Sequence, residues 1–191
     1  STDTALTGLT CTVTTSAAGG SCEVSGLTNG SSYTFRAITN STANSAAVSS
    51  TVSIPTAAII PAKAPDAPSG VQVTAGTGKV TVTWTEPSAN GSVILSYTVQ
   101  AYDADGNAVT GATCTAIAPA VTCDVSSNLV AGNNYTFKVI ATNAIGPSTA
   151  SSASSAAAIN AAPSVPLSVT AVSGNALATA SWDPPANING S

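Results

Sequence analysis

Leu27-Thr28-Asn29-Gly30-Ser31-Ser32-Tyr33-Thr34-Phe35 returns 102 residues later as Leu129-Val130-Ala131-Gly132-Asn133-Asn134-Tyr135-Thr136-Phe137. From the second tyrosine the chain alternates strictly. Tyr135, Phe137, Val139 and Ala141 fall on one face, and Thr136, Lys138 and Ile140 on the other, which is the period of a strand with one buried side. A second stretch repeats too: Val82-Thr83-Trp84-Thr85-Glu86-Pro87 is echoed 98 residues on by Ala180-Ser181-Trp182-Asp183-Pro184-Pro185. Self-similarity at this period marks a tandem array of small domains.

Between the two repeated stretches lies one complete unit. Val71, Val73 and Ala75 alternate with polar neighbours as a first strand. After Gly76-Thr77-Gly78, residues Val80, Val82 and Trp84 form an inward face while Lys79, Thr81 and Thr83 point out. Glu86-Pro87-Ser88-Ala89-Asn90-Gly91 is a turn-rich loop, and Tyr97, Val99 and Ala101 share a face of the next strand. Asp105-Gly106-Asn107 signals a turn into two cysteine-bearing strands, around residues 109–114 and 121–125. Beyond Tyr135–Ala141, Ala144-Ile145-Gly146-Pro147 leads into a last strand rich in Ser and Ala. Short strands with turns between them predict an all-β fold of tandem antiparallel seven-stranded β-sandwiches, one complete and two partial. The expected division is residues 1–56 as the later part of one module, 57–65 as a Pro/Ala linker, 66–160 as a complete module and 161–191 as the beginning of a third. Proline stiffens such short linkers.

Composition narrows the function. Of 191 residues 6% are charged and 4% aromatic, and a net charge of −4 is spread over eight acids and four bases. Arg36, Lys63, Lys79 and Lys138 lie far apart in sequence, so no basic track for nucleic acid forms and none is expected as a partner. No apolar run approaches the roughly 20 residues of a membrane helix, so no membrane insertion is expected in this segment. Catalysis finds no footing either. There is no histidine, the carboxylates are scattered, and the serines have no activating base, so neither an enzyme nor a cofactor is expected.

The cysteines report the compartment. Cys11 with Cys22, and Cys114 with Cys123, stand at matching places upstream of the repeated tyrosine. Local, repeated pairing in a chain without histidine predicts two disulfides and an extracellular setting. Zinc would need four soft or imidazole ligands in one place. A disulfide closing so short a loop stabilises by about 2–3 kcal/mol.

These residues together resemble the fibronectin type III domain, over the whole chain. The resemblance rests on Trp84 followed by Pro87 and Gly91, on Tyr97, on Leu129…Gly132…Tyr135, and on Asn143-Ala144-Ile145-Gly146. It implies that Tyr33 and Tyr135 form tyrosine corners, each hydroxyl bonded to backbone just upstream. Arrays rich in Ala, Ser and Thr with a cysteine pair before the corner resemble those of secreted and surface proteins of bacteria, although the pair departs from the commonest family pattern. The third copy carries Ala178 and Ala180 where Val80 and Val82 stand, which predicts a less filled core there.

Weighed singly, the candidate site residues read as structure. Trp84, Tyr97, Tyr33, Tyr135, Phe35, Phe137 and Trp182 are expected in cores, because each alternates with polar neighbours. Asp103-Ala104-Asp105-Gly106-Asn107 is similar to the start of a calcium loop, yet it lacks a closing acidic ligand, and Ser1-Thr2-Asp3-Thr4 stands at the equivalent place in the first copy. A hairpin turn is the expected reading, with no metal. Asn29, Asn40, Asn90, Asn134 and Asn189 open Asn-x-Ser/Thr sequons, in numbers that this composition makes by chance.

The expected function is a non-catalytic structural or adhesive array: a spacer, stalk or filament component at a bacterial cell surface. Its partners would be neighbouring repeats, further copies of itself, or surface and matrix components. The alternative is an accessory region of a secreted polysaccharide-degrading enzyme. A homopolymer in which one chain's tail completes the next chain's head would lack the strand at 93–103, because Ser191 aligns near Ser92 and Ser1 near Ala104. A longer continuous array is therefore the favoured expectation.

Overall fold

The computed structural model describes residues 7–14, 19–43, 46–160 and 162–186. The Ser1–Thr4 stretch and the Asn189 sequon named above lie outside the described residues. The chain separates into two units, residues 1–63 with 90–92 and residues 64–89 with 93–191. Every regular element among the described residues is a β-strand, and every strand pairing is antiparallel.

In the first unit, β1 (Asn40–Ala43) pairs with β2 (Ala46–Ser49). On either side of them in sequence, Tyr33 and Ile59 form a two-way backbone bridge, each amide donating to the other's carbonyl at 2.9 and 2.8 Å. The Gly30 amide donates to the Pro61 carbonyl at 2.9 Å, so backbone as far as residue 61 is tied into this unit. Tyr33 and Phe35 are half-buried.

The second unit contains the sandwich. One sheet has the order β3 (Ser69–Gly76), β4 (Lys79–Thr85), β7 (Thr122–Val125). The other has the order β6 (Ala108–Ile117), β5 (Ile94–Tyr102), β8 (Asn134–Asn143), β9 (Ala157–Ala158). The inward period-two residues meet between the sheets: Val80, Val82 and Trp84 from β4 and Val125 from β7, against Tyr97, Val99 and Ala101 from β5 and Tyr135, Phe137, Val139 and Ala141 from β8. Tyr97, Phe137 and the five valines are fully buried, and each such side chain contributes about 1.5–3 kcal/mol by leaving water. The Trp84 and Tyr97 rings pack tilted, with centroids 5.1 Å apart, a favoured aromatic geometry.

The segment after Pro147 differs from the strand expected there. Strand geometry is confined to Ala157–Ala158, and residues 148–156 run beside β8 with only every third residue buried: Ser148, Ser151 and Ser154. A strand would bury every second one. The physical reason is hydrogen bonding by the serine side chains, set out below.

The remaining strands of this unit, β10 (Leu167–Gly174) and β11 (Leu177–Asp183), pair only with each other. Both are exposed along their length. Trp182, expected in a core, is 63% exposed, because the sheet that carries it has two strands and no facing layer among the described residues.

Candidate functional elements: corners, staples and the sheet edge

Each tyrosine of the repeated nonapeptide turns its hydroxyl back on the chain that precedes it. The Thr28 amide donates to Tyr33 Oη at 2.9 Å, and the Val130 amide donates to Tyr135 Oη at 2.9 Å, both across five residues. Gly30 (φ 85°) and Gly132 (φ 83°) supply the left-handed residue that lets the chain bend round the ring. Donation from Thr28 holds the Tyr33 hydroxyl below the usual tyrosine pKa, since a donor at the oxygen favours its ionised form. Burial, aided by the nearby Glu86 carboxylate, pushes the Tyr97 hydroxyl the other way. Among the described residues, the Tyr97 hydroxyl and the Trp84 indole N–H are buried without a hydrogen-bond partner.

All four cysteines are paired. Cys11 is bonded to Cys22 and Cys114 to Cys123, with Cα separations of 5.9 and 6.2 Å. In the second unit the bond has a definite architectural place. Cys114 lies on β6, the outer strand of the four-stranded sheet, and Cys123 on β7, the outer strand of the three-stranded sheet. The bridge therefore joins the two sheets across one open side of the sandwich. Beside it, the Lys79 ammonium and the Thr81 hydroxyl both donate to the Asp124 carboxylate. These donors hold that carboxyl below the usual aspartate pKa.

Along the other free flank of β8, the backbone ladder is built partly from hydroxyls. The amides of Ser148, Ser151 and Ser154 donate to the carbonyls of Ala141, Val139 and Phe137 at 2.8, 2.9 and 2.9 Å. In return, the amides of Ala141, Val139 and Phe137 donate to the Oγ atoms of the same three serines at 3.0, 2.9 and 3.0 Å. Each Oγ then donates to the carbonyl one residue further on, at Thr149, Ser152 and Ser155. Three residues of the segment thus serve two residues of β8, and no amide of that face is left unpaired. The first unit repeats the device: Ser50, Ser53 and Thr56 exchange the same bonds with Thr39, Ala37 and Phe35. The spacing Ser-x-x-Ser-x-x-Ser/Thr, present in both copies, was the signal that could have revealed it.

The Asp103 loop is occupied by its own backbone. Asp103 Oδ1 accepts the amides of Asp105 (3.1 Å) and Asn107 (2.8 Å), an Asx turn that closes the β5–β6 connection. No cluster of three or more potential metal ligands occurs among the described residues. Of the described sequons, Asn29 and Asn90 lie in turns, and Asn40 and Asn134 at strand starts. Lys138 lies over the Tyr102 ring, 4.8 Å from its centroid. A shallow groove of about 300 Å³ runs between Pro68–Val71 and Ser152–Ala153, lined by small side chains and carrying no ionisable group. No helix among the described residues is long and apolar enough to cross a membrane.

Residues 66–157 match the fibronectin type III domain. Among solved structures, the chain is similar to the titin kinase with its flanking domains, at 32% identity over 51% of this chain and 18% of that one, with a TM-score of 0.44. It is also similar to a crystal structure of titin domains, at 30% identity over 56% of this chain and 36% of that one, TM-score 0.45. The FN1 to FN3 domains of chicken CNTN1 align at 24% identity over 66% of this chain and 44% of that one, TM-score 0.44. No curated protein sequence matches the chain.

Proposed function

We propose, from the premise that residues 66–157 are a fibronectin type III domain, that the chain is a non-catalytic stretch of an extracellular repeat array: a spacer, stalk or filament component at a bacterial surface. Domains of this family generally serve as structural or adhesive modules. The division of labour follows the repeat, with a module part in the first unit that the bonds of Ile59 and Pro61 carry past residue 56, a short linker up to residue 65, a complete module at 66–160 and the start of another at 161–191.

The observation that carries this reading is the recurrence of one construction. A cysteine pair, a tyrosine corner and a three-residue hydroxyl spacing appear in the same order in both units. Selection for a pocket would single out one copy, whereas selection for length and resilience preserves what every copy shares. Disulfides in a chain with few charges suit an oxidising exterior. Contacts with other repeats, other copies or matrix components would then use broad, weakly polar faces.

Protease treatment of intact cells that make the protein, with mass measurement of the native polypeptide, tests the proposal. Release of its peptides from unbroken cells, together with a mass accounted for by further modules, is the expected result. Protection of every peptide until the cells are broken would overturn the surface assignment. A catalytic domain in the same polypeptide would replace the array reading with that of an enzyme's accessory region.

A further inference from the structure

A sandwich with few charges has to keep its open sheet edges from pairing with other copies. Unpaired amides and carbonyls along an outer strand are templates for strand addition, and proteins blunt them with charges, prolines, bulges or covering segments. Only 6% of this chain is charged, and its strands are rich in Val, Thr, Ser and Ala. The side of the second unit that carries β6 and β7 is bridged by Cys114–Cys123. The other flank of the four-stranded sheet has no such bridge.

We propose that the hydroxyl ladder is an edge seal, which closes the Phe137–Ala141 stretch of β8 without presenting a strand for another copy to extend. Its geometry has the two properties this requires. Towards β8 it is complete, because the amides of Phe137, Val139 and Ala141 each find a serine Oγ and the paired carbonyls each receive a serine amide. Away from β8 it does not present the two-residue repeat that a pairing strand needs. The segment turns every three residues, and the carbonyls of Thr149, Ser152 and Ser155 accept the serine hydroxyls. A regular strand in this place would satisfy β8 equally well, but it would offer a fresh ladder on its outer side. The seal is independent of the surface role proposed above, and it holds if that role fails.

Hydroxyls are the working parts. An alanine in place of one serine leaves a buried amide of β8 without its acceptor. The segment must then either straighten into a strand or lift away, and both outcomes open an edge. Threonine keeps the hydroxyl, and Thr56 already fills the first unit's counterpart of Ser154, taking the Phe35 amide at 3.0 Å.

Sedimentation of the full chain over a wide concentration range, with circular dichroism to report folding, tests the seal. The unsubstituted chain and Ser151→Thr are expected to remain monomeric. The triple variant S148A, S151A and S154A is expected to keep its β spectrum and to shift from monomer to dimer or larger species as concentration rises. If the triple variant does not fold, Ser151→Ala alone is expected to show the same shift in weaker form. Folded alanine variants that stay monomeric at every concentration would overturn the proposal, leaving the ladder a matter of stability alone. Association of Ser151→Thr to the same degree as Ser151→Ala would overturn it too, since the hydroxyl would then be irrelevant.

Discussion

Hairpins β3–β4 and β10–β11 are close to the same object in two settings. Their strands have equal lengths, and both registers slip at the same place, between Ser69 and Gln72 in one and between Leu167 and Thr170 in the other. Each places a tryptophan one residue before its end, in the inward alternation. Yet Trp84 is 5% exposed and Trp182 63%. Local sequence is enough to set strand, turn and register, whereas burial comes from β5 and β8, which face only the first hairpin. The hairpin pattern is a property of about twenty residues, and the core is a property of the sheet that closes over them.

That contrast predicts the largest effect. Trp84→Ala removes an indole packed against Tyr97 and is expected to destabilise the sandwich by about 3–5 kcal/mol. Trp182→Ala is expected to change stability by no more than about 0.5 kcal/mol, as for an exposed substitution. Denaturant titration of the two variants reads the difference. In single-tryptophan chains, acrylamide should quench Trp182 readily and Trp84 hardly at all. Equal costs, or equal quenching, would mean that the β10–β11 hairpin is covered in solution.

The staple gives the next effect. Replacing Cys114 and Cys123 together by alanine frees the β6 and β7 edges from each other and is expected to lower stability by about 2–3 kcal/mol. Thermal unfolding with and without reductant checks it, and the double variant should be insensitive to reductant at this unit. Little change on reduction would mean that strand pairing alone keeps the sheet edges together.

The corners sharpen the comparison between units. Tyr135→Phe leaves the Val130 amide without its acceptor beside a nearly buried ring, a loss of about 1–2 kcal/mol. Tyr33→Phe removes the same bond where water can replace it, and the expected cost is under about 0.5 kcal/mol. Hydrogen exchange at the Val130 and Thr28 amides separates the two cases, with a large rise in rate only at Val130.

What the sequence revealed and what it hid divide along the same physical line. Period-two alternation located β4, β5 and β8, because an inward Val or Phe next to an outward Thr or Lys can serve no other element well. The Asp103 turn was readable for a similar reason, since a short carboxylate two and four residues before free amides caps them locally. The last segment was not readable as a strand pattern. Ser148, Ser151 and Ser154 repeat every three residues, a period belonging to neither strand nor α-helix, and their meaning lies in hydroxyls that take the place of backbone acceptors. Trp182 misled for the opposite reason: its local pattern is that of Trp84, but exposure depends on residues far from it in sequence.

Acidity tests the hairpin comparison most gently. Lys79 and Thr81 on β4 donate to Asp124 on β7, and the position of Lys79 is taken in the β10–β11 hairpin by Leu177, 98 residues on. Because these donors lower the Asp124 pKa in the folded state, the ionised carboxylate binds its partners better folded than unfolded. The stabilisation is then fully present above the ordinary aspartate pKa, and it is lost as pH falls through the depressed folded value. Asp124→Asn should therefore flatten the acid limb of the stability profile of the sandwich while barely changing stability in strong acid. The pair is about half exposed, so added salt should shrink the difference near neutral pH. An acid limb of unchanged slope in Asp124→Asn would assign the pH dependence to other carboxylates and reduce the Lys79–Asp124 contact to a surface pairing without consequence for how β7 is held.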